Sequence, residues 1–157
     1  ANGTAWRRIL GGAIARSYPF SAFGAVAALP AGWMIAGTVG PSGAAKPFAW
    51  YVEPDGRRLT SFPLPASGRR GNFDLTSASA DRTQVAIAGS DDGRPVIWSA
   101  SLRGGRPGPW REAVPPPRPP WPVQRVVIST GAVSTMVDLV GRNDTEVWIA
   151  PTPGVGH

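Results

Sequence analysis

The side chains able to do covalent chemistry are few. The only histidine is His157, the last residue, and there is no cysteine. Cys–His pairs and disulfides therefore have no material to be built from, and Ser–His pairs and histidine zinc sites would rest on that single terminal histidine and have almost no support. Ten carboxylates remain, two pairs of them close in sequence: Glu53 with Asp55, and Asp91 with Asp92. Paired carboxylates are what glycoside hydrolysis needs. Both pairs fall where loops are expected, however, and acids in loops are ordinarily solvated. Asp91-Asp92-Gly93 and Asn143-Asp144 occupy corresponding loops and offer oxygens suited to a hard cation. The third such loop, residues 38–43, has no acid, so the oxygens read as turn chemistry rather than a repeated metal site. The expectation is no catalytic residue, no metal and no cofactor.

Trp121 has no counterpart elsewhere in the chain and lies in a proline-rich stretch with Arg118. Such a stretch favours a stiff polyproline II loop, displaying an aromatic–arginine edge or capping a core with the indole. Trp121, Arg118, Asp91 and Asp92 are the candidate ligand contacts.

The elements that must position them are strands. Glycine (20) and proline (18) are abundant, but seven tryptophans, a hydrophobic fraction of 42% and a charged fraction of 17% oppose disorder. Gly and Pro then read as turns between short apolar runs, the composition of a many-stranded protein. The net charge is +6, carried by fifteen arginines and one lysine, Lys46. They are scattered, and the aromatics fall at repeated core positions, so a nucleic-acid partner is not expected. No apolar run reaches the length of a membrane span. The chain opens on Ala1, which reads as a processed or excised chain and points to an extracellular or cell-envelope location in a bacterium.

An internal repeat organises the sequence. Gly37, Gly89 and Gly141 are 52 residues apart, and the runs 23–37, 75–89 and 127–141 superpose without a gap. Trp33, Val85 and Val137 then correspond, as do Ile35, Ile87 and Leu139, an apolar residue at every second position and so a strand with that face inward. Trp50, Trp98 and Trp148 follow at shrinking distances of 13, 9 and 7 residues and read as equivalent. Phe62 and Trp110, each 12 residues further on after a glycine turn, read as a fourth-strand aromatic. One unit is four antiparallel strands in about 50 residues, the size of a β-propeller blade.

The expected fold is all-β: a single repeat domain over residues 1–157, with units at about 22–65, 73–114 and 125–150. An orphan fourth strand at about 4–11, containing Trp6, would complete the last unit, a closure that hides two sheet edges. Three blades per chain are few for a ring, which implies either a second copy or the remainder of a larger propeller.

These residues resemble the sialidase-type (BNR or Asp-box) propeller repeats of secreted bacterial proteins. The matching elements are Trp98-Ser99, Asp55-Gly56 and Asn2-Gly3-Thr4-Ala5-Trp6. In that family the aspartate and turn glycine hold a hairpin, so the resemblance implies a blade and no particular activity. The function expected is a non-enzymatic binding or scaffold module recognising a protein or glycan. The alternatives are a fragment of a sialidase-like or other glycoside hydrolase, or a structural subunit of a larger complex.

Overall fold

The computed structural model describes residues 21–41, 43–66, 71–113, 117, 119–121, 123–131 and 134–151. Among them are twelve antiparallel strands in three sheets and no helix. The first sheet is β1 (Ser21–Leu29), β2 (Gly32–Val39), β3 (Lys46–Val52) and β4 (Leu59–Pro63), in that spatial order. The second holds β5 (Phe73–Ala80), β6 (Gln84–Asp91) and β7 (Arg94–Arg103); β8 (Arg106–Pro107) and β9 (Arg111–Ala113) both pair with β7. The third is β10 (Arg125–Thr130), β11 (Ser134–Val140) and β12 (Thr145–Pro151). No closed barrel is formed among the described residues. The orphan strand expected near Trp6 lies outside them.

The three sheets stack face on face. Met34 and Ala36 of β2 share a core with Val85, Ile87 and Trp98 of the second sheet. Ala86, Ala88 and Ile97, on the opposite face of that second sheet, share another core with Val137 and Leu139 of the third. The middle sheet is thus buried on both sides, and seven of the eight residues of β6 are buried. The face expected to point inward does so in β6, where Val85 and Ile87 are wholly buried, and the opposite face is buried too because the sheet lies between two neighbours. In β2 the face expected to point inward is the outer one, and Trp33 is 46% exposed.

The repeat is real but not gap-free. Ala28 pairs with Trp33 and Ala80 with Val85, a shift of 52, but in the third sheet Ile128 pairs with Val137. Past Val137 the third hairpin runs on for two further pairs, to Thr130 opposite Thr135, whereas the second ends at Ala80 opposite Val85. Trp50 faces Ile35 and Trp98 faces Ile87, whereas Trp148 faces Val137 and the residue opposite Leu139 is Glu146. Trp148 is therefore displaced by two residues from the position of the other two, which are wholly buried while it is 39% exposed. Phe62 and Trp110 are not equivalent either. Phe62 pairs with Ala49 within β4, whereas Trp110 precedes β9, whose Glu112 faces Trp98.

The glycines of the repeat have a common steric cause. A side chain on Gly37 would sit 2.0 Å from the Ala22 carbonyl oxygen, and one on Gly89 2.1 Å from that of Asp74. Ala22 and Asp74 precede β-bulges at Gly24 and Thr76, each 52 residues from its counterpart. A bulge brings the backbone of one strand onto its partner, so the residue beneath has no room for Cβ. In the third sheet, where β10 has no bulge, the space beside Gly141 is filled by the Trp121 ring.

The first strands of the three sheets lie beside one another, β1 against β5 and β5 against β10. Gly24 lets β1 come so close that a methyl group there would lie 1.6 Å from the Leu75 carbonyl oxygen. On the other side, hydroxyls take the place of a strand. The Thr76 hydroxyl donates to the Val126 carbonyl (2.7 Å) and accepts from the Val126 N–H (3.1 Å). The Ser77 and Ser79 hydroxyls accept from the Ile128 and Thr130 N–H groups at 3.1 and 3.0 Å. Alternate backbone groups along the open edge of β10 are satisfied in this way, which keeps that edge from templating another strand.

Turns hold the stack in register. Asp92 (φ 49°) and Gly93 (φ 72°) form the two-residue turn between β6 and β7, the left-handed pair such hairpins require. The Asp55 carboxylate accepts the Arg57 N–H (2.8 Å) in the β3–β4 hairpin, where Gly56 has a φ of 69°. The β7–β8 hairpin reaches over the first sheet: Arg106 pairs with Glu53 at 2.9 Å and lies over the Tyr51 ring, whose hydroxyl donates to the Ala31 carbonyl.

Asp81 closes the β5–β6 hairpin. Burial works to raise its pKa, but the N–H groups of Thr83 (2.6 Å) and Gln84 (2.9 Å) and the Thr83 hydroxyl hold it below its ordinary value of 3.8. A carboxylate held down in the folded state stabilises above its unfolded-state pKa and stops doing so as pH falls through the folded-state value. Asp81→Ala should therefore cost about 1 kcal/mol at neutral pH. Urea unfolding of the two proteins should show that difference shrinking steadily once the pH is below about 4.

Candidate functional site

The loops after β2 and β6 and the segment entering β10 meet at one end of the stack. An open pocket of about 310 Å³ is lined there by Ser21, Ala22, Thr38, Gly40, Gly43, Ala45, Asn72 and Phe73. It exists because the β2–β3 loop is the longest of its kind, so the chain swings wide after Val39 before re-entering at Lys46. Asn72 joins the pocket to the next turn: its N–H donates to the Asp92 carboxylate and its carbonyl accepts the Asp92 N–H, both at 3.3 Å. The Gly93 carbonyl in turn accepts the Val123 N–H at 3.3 Å, two residues beyond Trp121.

Three of the four residues expected to contact ligand therefore come to the same end, by different routes. Asp92 is exposed at the tip of its turn. Asp91, at the end of β6, is 8% exposed, and its carboxylate fills the space beside Gly71, where a Cβ would lie 1.4 Å from Oδ1. It is a buried wall of the turn and not a free contact. Trp121 is partly buried, packed on the second core with its ring over Gly141, so it caps the junction of the second and third sheets. Arg118 lies outside the described residues.

The pocket itself escaped the sequence reading. Its lining is hydroxyls, a carboxamide, small apolar groups and one ring, none of which announces itself in sequence. The signal that was present is the loop after Gly37, the longest of the three glycine loops. Chemically the lining can donate and accept hydrogen bonds and cover an apolar patch, and it contains no acid or base. Glu53 and Asp55, the other carboxylate pair, are engaged with Arg106 and with the Arg57 N–H. Among the described residues no three His, Cys, Asp or Glu side chains converge as a metal site would need, and no helix is long and apolar enough to cross a membrane. No protein-family model, no curated protein and no solved structure matches this chain.

Proposed function

We propose that the chain is a non-enzymatic binding or scaffold module of β-propeller type, secreted or attached to a cell envelope, in which each sheet serves as a blade. What carries this reading is that the middle sheet presents one face to the sheet before it and the other to the sheet after it, with the first strands of all three side by side. That is how blades succeed one another around an axis. The Asp-box-like turn at Asp55-Gly56 supports it as well.

Ligand would be taken at the loop end, by the pocket and the Asp92 turn. Hydroxyls and an amide beside a small apolar surface suit an uncharged polar ligand, a glycan or an extended peptide. Glycan and peptide arrays probed with the purified chain should retain a defined subset of one class. Thr38→Arg, which fills the pocket from its rim, should weaken that binding at least about tenfold with the thermal melt unchanged. Retention of nothing by either array, or binding indifferent to Thr38→Arg, overturns the assignment of this site.

A further inference from the structure

Among the described residues, two faces at the ends of the stack meet no neighbouring sheet, and both keep exposed apolar side chains, although Trp50 on the first of them is wholly buried. The outer face of the first sheet carries Phe23, Val26 and Trp33, which are 53, 61 and 46% exposed. The outer face of the third carries Met136, Val147 and Ile149, which are 43, 58 and 71% exposed. Cross-strand pairing puts the last three on one side of their sheet, with Asp138 among them: Met136 lies opposite Ile149 and Asp138 opposite Val147. One oxygen of Asp138 is shielded from water and has no hydrogen-bond partner among the described residues.

These faces are not two arbitrary patches. The internal contacts follow one rule: the face holding Met34 and Ala36 meets that holding Val85 and Ile87, and the face holding Ala86 and Ala88 meets that holding Val137 and Leu139. Each step advances by 52 residues. The faces left over are the next two terms of the same series, Asp138 and Val140 on the third sheet and Trp33 and Ile35 on the first. We propose that a second copy of this chain docks here head to tail, the outer face of its first sheet covering the outer face of the third sheet. This rests on the stacked-sheet part of the proposed architecture and is independent of the ligand site.

The series also places particular residues together. The small, polar Asp138 stands where Met34 and Ala86 stand in the internal contacts, and the large Trp33 where Val85 and Val137 stand. A small residue against a large one keeps the space between the sheets filled. The Trp33 indole N–H of the incoming copy is set against the Asp138 carboxylate, a donor for an acid that otherwise sits among apolar groups. Apolar area drives the contact, and this pair fixes which face meets which.

Light scattering after size exclusion tests it on the intact chain. Wild type should exceed the 16.4 kDa monomer mass in a concentration-dependent way. Trp33→Arg and Ile149→Arg each block one face, so each variant alone should run as a monomer. An equimolar mixture should recover a 1:1 complex, because each variant keeps the face that the other has lost. Trp33→Phe should weaken association about tenfold, and no further in an Asp138→Asn background. A monomeric wild type overturns the proposal, as does full self-association by either blocked variant, which would mean a like-face dimer. Both sites are exposed, so thermal melts of the blocked variants should match wild type. A lost melt would indict the architecture, and an intact melt with unchanged wild-type mass would indict the docking alone.

Discussion

Trp98→Ala should lower the unfolding free energy by about 4 kcal/mol, whereas Trp148→Ala should cost less than about 1 kcal/mol. Trp98 is wholly buried between the first and second sheets, beside Phe73 (ring centroids 6.2 Å apart). Its indole N–H donates to the Pro65 carbonyl at 2.7 Å, tying down the chain that leaves the first sheet. Truncation opens a cavity with two neighbouring sheets to hold it open, and leaves a carbonyl without its donor. Trp98→Phe should recover most of the packing and lose the hydrogen bond, for a cost of about 1–2 kcal/mol. Trp148 is 39% exposed, and its indole N–H donates to Glu146 on its own strand, at 3.2 Å. Chemical denaturation of the three variants checks this ordering. Equal losses at Trp98 and Trp148 would mean that the third unit keeps the register of the second, against the pairing described above.

Gly24→Ala is expected to cost about 3 kcal/mol, the upper part of the range for adding bulk to a filled interior. The added methyl would lie 1.6 Å from the Leu75 carbonyl oxygen, and backbone on both sides leaves no flexible side chain to yield. The strand β1 must retreat from β5, and the core containing Ala27, Leu29, Met34 and Ala36 opens with it. Because the two sheets part at their first strands, hydrogen exchange should quicken in β1 and β5 and remain slow along the β11–β12 pairing. Asp74→Ala, at an exposed position on β5, should be nearly neutral and serves as control. A methyl tolerated at Gly24 would mean that the first two sheets do not approach as closely as described.

Much of this architecture was legible in the chain. The all-β class follows from apolar residues at every second position between glycine and proline turns, because a pleated strand alternates its faces. The 52-residue spacing of Gly37, Gly89 and Gly141 marks the second strand of each sheet, since each glycine stands where backbone or a ring leaves no room for Cβ. Asp92-Gly93 and Gly104-Gly105 mark hairpins because tight turns need left-handed φ, and these residues adopt it at the least cost.

Other features depended on which surfaces meet, and only the tertiary structure decided them. Periodicity identifies two faces of a strand but not which neighbour each receives, so β6 is buried on both sides and Trp33 points outward. Register is a property of two strands at once: the third hairpin turns two residues earlier in the repeat than the second, and Trp148 slips two residues past the buried position although its sequence neighbourhood matches that of Trp98. The polar end has the same origin. Ser21, Thr38, Asn72 and Asp92 are unremarkable where they stand in the sequence, and they become neighbours because one sheet packs on the next with its loops at a common end. Local preference selects strands and turns one at a time, whereas a site is made by the packing that brings distant ones together.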